Sequence, residues 1–167
     1  NGYAINAILG KKKIMLKAQE SFISSTFWTE RIGFVAALKT LELMEKKRSW
    51  ETICKNGRYL KAEWQRIAKK NNLQINIKGI DAIISFSFIS KNNLLYKTFI
   101  TQEMLKRGIL ASNLIYLSID HNKKVIEHYI KNLDDIFKLI SKNLSKSKIL
   151  NKLKGPVCHG TFQRLND

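Results

Sequence analysis

The chain has 167 residues, 44% of them hydrophobic, with one proline and 8 glycines, a composition that suits one compact domain with a real core and excludes a disordered polypeptide. Thirty Lys+Arg against 13 Asp+Glu give a formal charge of +17, which raises nucleic acid or an anionic membrane surface as a partner. Most of the excess is lysine spread along the chain, and lysine on solvated faces accounts for it without any partner.

Asn1 to Leu9 opens on a turn-like Asn-Gly and runs into a mostly apolar stretch, AINAIL, that reads as a short buried strand closed by Gly10. One helical turn is expected around Ile14, Met15 and Leu16, and a second short strand begins at Phe22 and Ile23. From Glu30 to about Lys47 the pattern is helical. Its first half, Ile32 to Leu38, is apolar on nearly every side and is expected to be buried among other elements. Ser49 is placed to cap the next helix, where Trp50, Ile53, Cys54, Gly57, Leu60, Trp64, Ile67 and Ala68 fall on one stripe. Packing in that stripe accounts for the Cys54 thiol.

After Asn71-Asn72 the period changes to two. Leu73, Ile75 and Ile77 alternate with polar residues, Gly79 allows a turn, and Ile80, Ala82, Ile84, Phe86 and Phe88 alternate again, which predicts two antiparallel strands with one buried face. Leu94 to Arg107 reads as a helix stopped by Gly108, Leu114 to Ser118 as a short strand, and Asn122 to about Leu144 as a long amphipathic helix. Ser145 to Lys154 is polar and weakly patterned, and the last stretch holds the only proline. This order predicts an α+β layer of helices against a small antiparallel sheet.

Chemistry concentrates first at Phe22 to Gly33, FISSTFWTERIG, where Ser24, Ser25 and Thr26 sit just before a helix. A helix start leaves its first N–H groups unpaired and carries the positive end of the helix dipole, so hydroxyls there can help hold an anion such as phosphate. The same letters also fit a plain cap at Thr29 with serines ending a strand. Ser112 and Asn113 fit a turn before a strand. His121, after Asp120 at a strand-to-helix junction, reads as structural, and His128 lies on the solvent side of a helix. Neither the three histidines nor the two distant cysteines, Cys54 and Cys158, offer metal-ligand spacing, and the lack of a C-x-x-C pair fits a reduced, cytoplasmic setting. No run reaches the ~18 apolar residues of a membrane span, and no signal peptide is visible.

The opening NGYAINAILGKKKIM together with FISSTFWTERIG resembles the class III pyridoxal-phosphate-dependent aminotransferases, in the branch similar to glutamate-1-semialdehyde aminomutase. The resemblance is densest from Asn1 to Leu43 and returns at RGILASNLIYLSIDH, Arg107 to His121, and at Gly155 to Asn166. It implies the end of the large domain of a fold-type I pyridoxal 5'-phosphate (PLP) enzyme over residues 1–30, then a connecting helix and C-terminal small domain over 31–167. It further implies that the lysine forming the Schiff base with the cofactor lies upstream of Asn1, so no catalytic residue is expected here and the 167 residues alone are expected to be inactive. Thr26 matches the threonine whose hydroxyl and backbone N–H contact the cofactor phosphate of the neighbouring subunit, with Ser25 beside it where many members have Gly. Phe27 to Arg31 departs from the family's more usual letters at this point. Ser112 and Asn113 match the small-domain strand that approaches the substrate. The implied protein is a homodimer acting on a small amino donor and a carbonyl acceptor. Some aminomutases carry a glutamate near this strand, and none stands between Gly108 and Ile119. The rival from another class is a basic nucleic-acid-binding module using Trp28, Trp50 and Trp64 to stack bases.

Overall fold

The structure is a computed structural model that describes residues 2–22, 27, 30–142 and 146–160. The chain forms two compact units, Asn1–Ser49 and Trp50–Asp167.

The first unit carries α1 (Lys12–Met15), which runs on into a short 3₁₀ turn over Leu16–Glu20, and α2 (Arg31–Lys47). Ala4 to Leu9 is not a strand and neither is Phe22, contrary to the sequence reading, while Ile23 lies outside the described residues. A single apolar run has no ladder of its own. Among the described residues no strand lies beside it to complete a ladder, and apolar letters alone do not make a sheet. α2 forms where the periodicity placed it, but its first half is not buried: Ile32, Val35 and Leu38 are 51%, 65% and 69% exposed, and Gly33 is the buried position of the helix. α2 ends at Arg48, whose left-handed backbone (φ 46°, ψ 46°) turns the chain directly into α3 (Ser49–Lys70). Ser49 therefore does not cap: it lies within the helix, buried, and its hydroxyl has no hydrogen-bond partner among the described residues.

In the second unit, β1 (Ile75–Lys78) and β2 (Ile83–Phe88) form an antiparallel hairpin, with Ile75 opposite Phe88 and Ile77 opposite Phe86. Both strands are shorter than the alternation predicts, because the chain leaves the ladder at Gly79 (φ +98°) and rejoins it at Ile83. α4 (Asn93–Lys106) follows, then β3 (Leu114–Tyr116), which pairs antiparallel with β2 and completes a three-stranded sheet in the order β1-β2-β3. α5 (Lys123–Lys142) closes the layer, and Asn122 caps it through an Oδ1 that accepts the Val125 N–H at 3.1 Å.

One face of the sheet carries the core. Ile84, Phe86 and Phe88 of β2 and Ile75 of β1 meet Trp64 from α3, Tyr96 from α4 and Phe137 from α5, all buried. Trp64 and Phe86 pack edge-to-face at 4.8 Å between ring centroids, and Phe88 meets the Phe137 ring at 5.4 Å. Rings that avoid face-to-face stacking in this way gain about 0.5–1.5 kcal/mol per pair beyond area burial. The stretch read as weakly patterned contains α6 (Lys146–Leu150), and Ile149 from it is fully buried in the same core. Two adjacent apolar residues, Ile149 and Leu150, at the end of a five-residue helix are below the length at which periodicity can be read. The tail beyond α6 is strapped to α4: Gln102 donates from Nε2 to the Lys152 carbonyl and accepts the Lys154 N–H, and Thr98 Oγ1 accepts the Cys158 N–H.

Candidate functional site

Ser25 and Thr26, the predicted phosphate contacts, lie outside the described residues. At the edge of that segment Glu30 occupies the N-cap position of α2 in an extended conformation, and its side chain makes no capping hydrogen bond.

Ser112 and Asn113 sit on the segment between α4 and β3, and the end of α4 fixes where that segment goes. Gly108 takes a left-handed φ of +72°, its N–H bonds the Leu105 carbonyl, and the Ile109 N–H bonds that of Met104. These two bonds close a Schellman-type stop, as the sequence reading expects of Gly108. Asn113 then joins the sheet before β3 formally begins: its Nδ2 donates to the Phe86 carbonyl at 2.8 Å while its own carbonyl accepts the Phe86 N–H at 3.0 Å. The Ser112 hydroxyl accepts from Thr101 Oγ1 at 2.9 Å and lies 3.4 Å from Asn113 Oδ1. The structure thus brings these two residues together, half-buried, with the amide nitrogen of Asn113 committed to β2.

At the other end of β3, His121 performs the structural task read for it. Its Nδ1 accepts the Ser118 N–H at 2.9 Å, so the neutral ring carries its proton on Nε2, and its carbonyl accepts from Asn56 Nδ2 at 2.8 Å. β3 is thereby tied to α3 through Asn56. His128 is exposed on α5, as expected. Sequence reasoning missed the pairing of Trp64 with Tyr129, which places an indole N–H 3.1 Å from a phenol oxygen inside the core. Both lie on apolar stripes, and a stripe does not reveal where a heteroatom points. Desolvation raises the Tyr129 pKa well above the usual tyrosine range, against the smaller opposing effect of the Trp64 hydrogen bond, so the phenol stays protonated.

Two carboxylates outside this region, Asp81 and Asp134, are engaged in pairing. Asp81 accepts from Lys61 and Arg58, and the Lys61 bond is the main reason that its carboxyl is held below the ordinary value. Burial works to raise Asp134, but Lys70 and Asn71 outweigh it and the net direction is down. Among the described residues no group of three or more His, Cys, Asp or Glu could hold a metal ion, and no helix is long and apolar enough to cross a membrane. Burial of Trp64 removes it from any base-stacking role, while Trp50, expected on the packed stripe of α3, is exposed at the first turn of that helix, and Trp28 lies outside the described residues.

The stack of helices on one face of a three-stranded antiparallel sheet is a piece of the fold-type I PLP enzyme fold. It superposes on a solved structure of the FumI protein of Sphingopyxis sp. MTA144 in its PLP internal aldimine form, with a TM-score of 0.69 and 19% identity, over 83% of this chain and 34% of that one. The model of the class-III aminotransferases matches residues 1–140, and the chain belongs to that family, whose cofactor is pyridoxal 5'-phosphate. The chain is 28% identical over 149 residues to a 3-aminobutyryl-CoA aminotransferase of Cloacimonas acidaminovorans, covering 89% of this chain and 36% of the relative. It is 21% identical over 141 residues to a 2'-deamino-2'-hydroxyneamine transaminase of Streptomyces kanamyceticus, covering 81% and 36% respectively. The chain therefore spans about a third of the length of the curated relatives it matches.

Proposed function

We propose that these residues form part of a cytoplasmic, homodimeric PLP-dependent aminotransferase that moves an amino group from a small amino donor to a carbonyl acceptor. The observation that carries the reading is the family match over residues 1–140, which includes both Thr26 and the Ser112-Asn113 segment. The missing glutamate between Gly108 and Ile119 favours amino transfer over aminomutation within the aminomutase-like branch.

The cofactor, when bound, supplies an electron sink that lets the substrate's amino-bearing carbon lose a proton. This chain's part is to bind and orient. Thr26, with Ser25 beside it, donates its hydroxyl and backbone N–H to the cofactor phosphate of the neighbouring subunit. A phosphate dianion is stabilised by charge-assisted donors at a helix start. The absence of a capping bond from Glu30 is compatible with that use, since the first turn of α2 is not already closed by an acidic side chain. Ser112 and Asn113 supply part of the substrate wall, kept rigid by the bonds to Thr101 and Phe86. The lysine that binds the cofactor is supplied from outside these residues, so the 167-residue chain alone does not turn over an amino donor.

The test is cofactor retention by the complete gene product. Losing one hydrogen bond to a charged phosphate costs about 1.5–3 kcal/mol, so Thr26→Val should weaken PLP binding by roughly 10- to 100-fold, while Thr26→Ser should stay near the parent. Equal retention in all three proteins would remove Thr26 from the phosphate site.

A further inference from the structure

We propose that the cleft beside the free edge of β3 binds a compact, neutral small molecule made of an aliphatic body and one carbonyl group. Among the described residues β3 pairs with β2 alone, which leaves its far edge without a strand. Along that edge, within the second unit, runs a cleft of about 240 Å³ lined by Leu60 of α3, Ile115 of β3, Ile126 and Tyr129 of α5, and His121. At about 30 Å³ per water-sized group, it has room for roughly eight non-hydrogen atoms.

Two hydrogen-bond donors among the lining residues have no acceptor among the described residues. The Tyr129 oxygen takes the Trp64 indole N–H, which leaves the phenol's own proton unspent, and no described residue accepts it. His121 is held by Ser118 in the tautomer that carries the proton on Nε2, and no described residue accepts that proton either. Tyr129 is almost wholly buried, where an unused donor is costly and a ligand that satisfies it gains correspondingly.

The rest of the lining decides the ligand's charge. Neither an ammonium, a guanidinium nor a carboxylate lines the cleft. An ionised head group would be desolvated without a counter-ion, whereas a ketone, ester or amide oxygen accepts a hydrogen bond from a neutral donor at little cost. The aliphatic body replaces water against Leu60, Ile115 and Ile126. This inference is independent of the aminotransferase reading, and either can fail without the other.

The experiment is a titration of the complete gene product with hexan-2-one, followed by NMR at the Trp64 indole N–H, with hexanoate as the charged counterpart. The ketone should give a saturable shift with a Kd on the order of millimolar. Hexanoate should bind at least about tenfold more weakly. Tyr129→Phe should weaken ketone binding about fivefold. Val125, 46% exposed on the cleft, allows a second variant that leaves the core alone. Val125→Phe should abolish the shift by filling the mouth. A Trp64 signal that does not respond, hexanoate binding as tightly as the ketone, or full binding in Val125→Phe would each overturn the proposal.

Discussion

Gly57 sits on the buried face of α3, where helix propensity and packing make opposite predictions. An alanine in a helix interior is worth about 1 kcal/mol more than a glycine, so propensity alone makes Gly57→Ala stabilising. Packing reverses the sign. A Cβ built on Gly57 would stand 1.8 Å from the Asp81 carbonyl oxygen and 2.7 Å from its carbonyl carbon, both backbone atoms of the turn that joins β1 to β2. To restore an ordinary contact, the helix and the turn must separate by at least ~1.6 Å, and close-packed interiors do not absorb such a shift without losing contacts nearby. The same movement pulls Asp81 away from Arg58 and Lys61, which reach it from α3. Overpacking of this kind costs about 1–3 kcal/mol, and with backbone atoms on both sides the upper part of that range applies, so a net loss of up to about 2 kcal/mol is expected after the propensity gain. The assay is urea unfolding of the parent and Gly57→Ala chains, followed by far-ultraviolet circular dichroism and read at the midpoint. An alanine variant as stable as the parent, or more so, would refute the close approach of α3 to the hairpin turn.

Two further outcomes follow from the same core. Asp134 is held below its ordinary pKa in the folded chain, so the stability that it contributes is fully present above the unfolded carboxylate range, near pH 4, and is lost as pH falls through the lower folded value. Asp134→Asn should therefore flatten the acid limb of the stability–pH curve between about pH 5 and 2, and an unchanged limb would show that Lys70 and Asn71 do not act on it in solution. Ile149 is the fully buried anchor of α6, and Ile149→Ala should cost about 2–4 kcal/mol or, if the short helix detaches alone, speed amide exchange in α6 and the adjoining tail; parent-like stability and exchange would mean that α6 does not dock.

How far the sequence was legible depended on how much of each signal was local. α3 and α5 carry long stripes that pack on one face from Gly57 to Ala68 and from Ile126 to Ile140, although Trp50 at the head of the first and Val125 beside the second are exposed, and the alternation of Ile75, Ile77, Ile84, Phe86 and Phe88 names the buried side of the sheet directly. Gly108 announced the end of α4 because only the left-handed stop makes use of a glycine there. The failures came from partners that no local pattern contains. Ala4 to Leu9 has strand letters but no strand beside it among the described residues, and Ile32 to Leu38 has core letters on an exposed helix face. Ser49 carries a good capping side chain, yet the left-handed Arg48 moves the helix boundary so that it cannot cap. At the site, the position of Ser112 and Asn113 before β3 was readable, but the use of the Asn113 side chain as a rung of the sheet depends on Phe86, 27 residues away. The Trp64–Tyr129 bond spans 65 residues and had no sequence signal.

The most direct test of the central claim is an amino-transfer assay with added pyridoxal 5'-phosphate, run side by side on the complete gene product and on the 167-residue chain, across a panel of amino donors and carbonyl acceptors. The account predicts turnover of at least one donor–acceptor pair by the complete product and none by the chain alone. Turnover by the isolated 167 residues, or a complete product that neither retains the cofactor nor transfers an amino group from any donor, would contradict it.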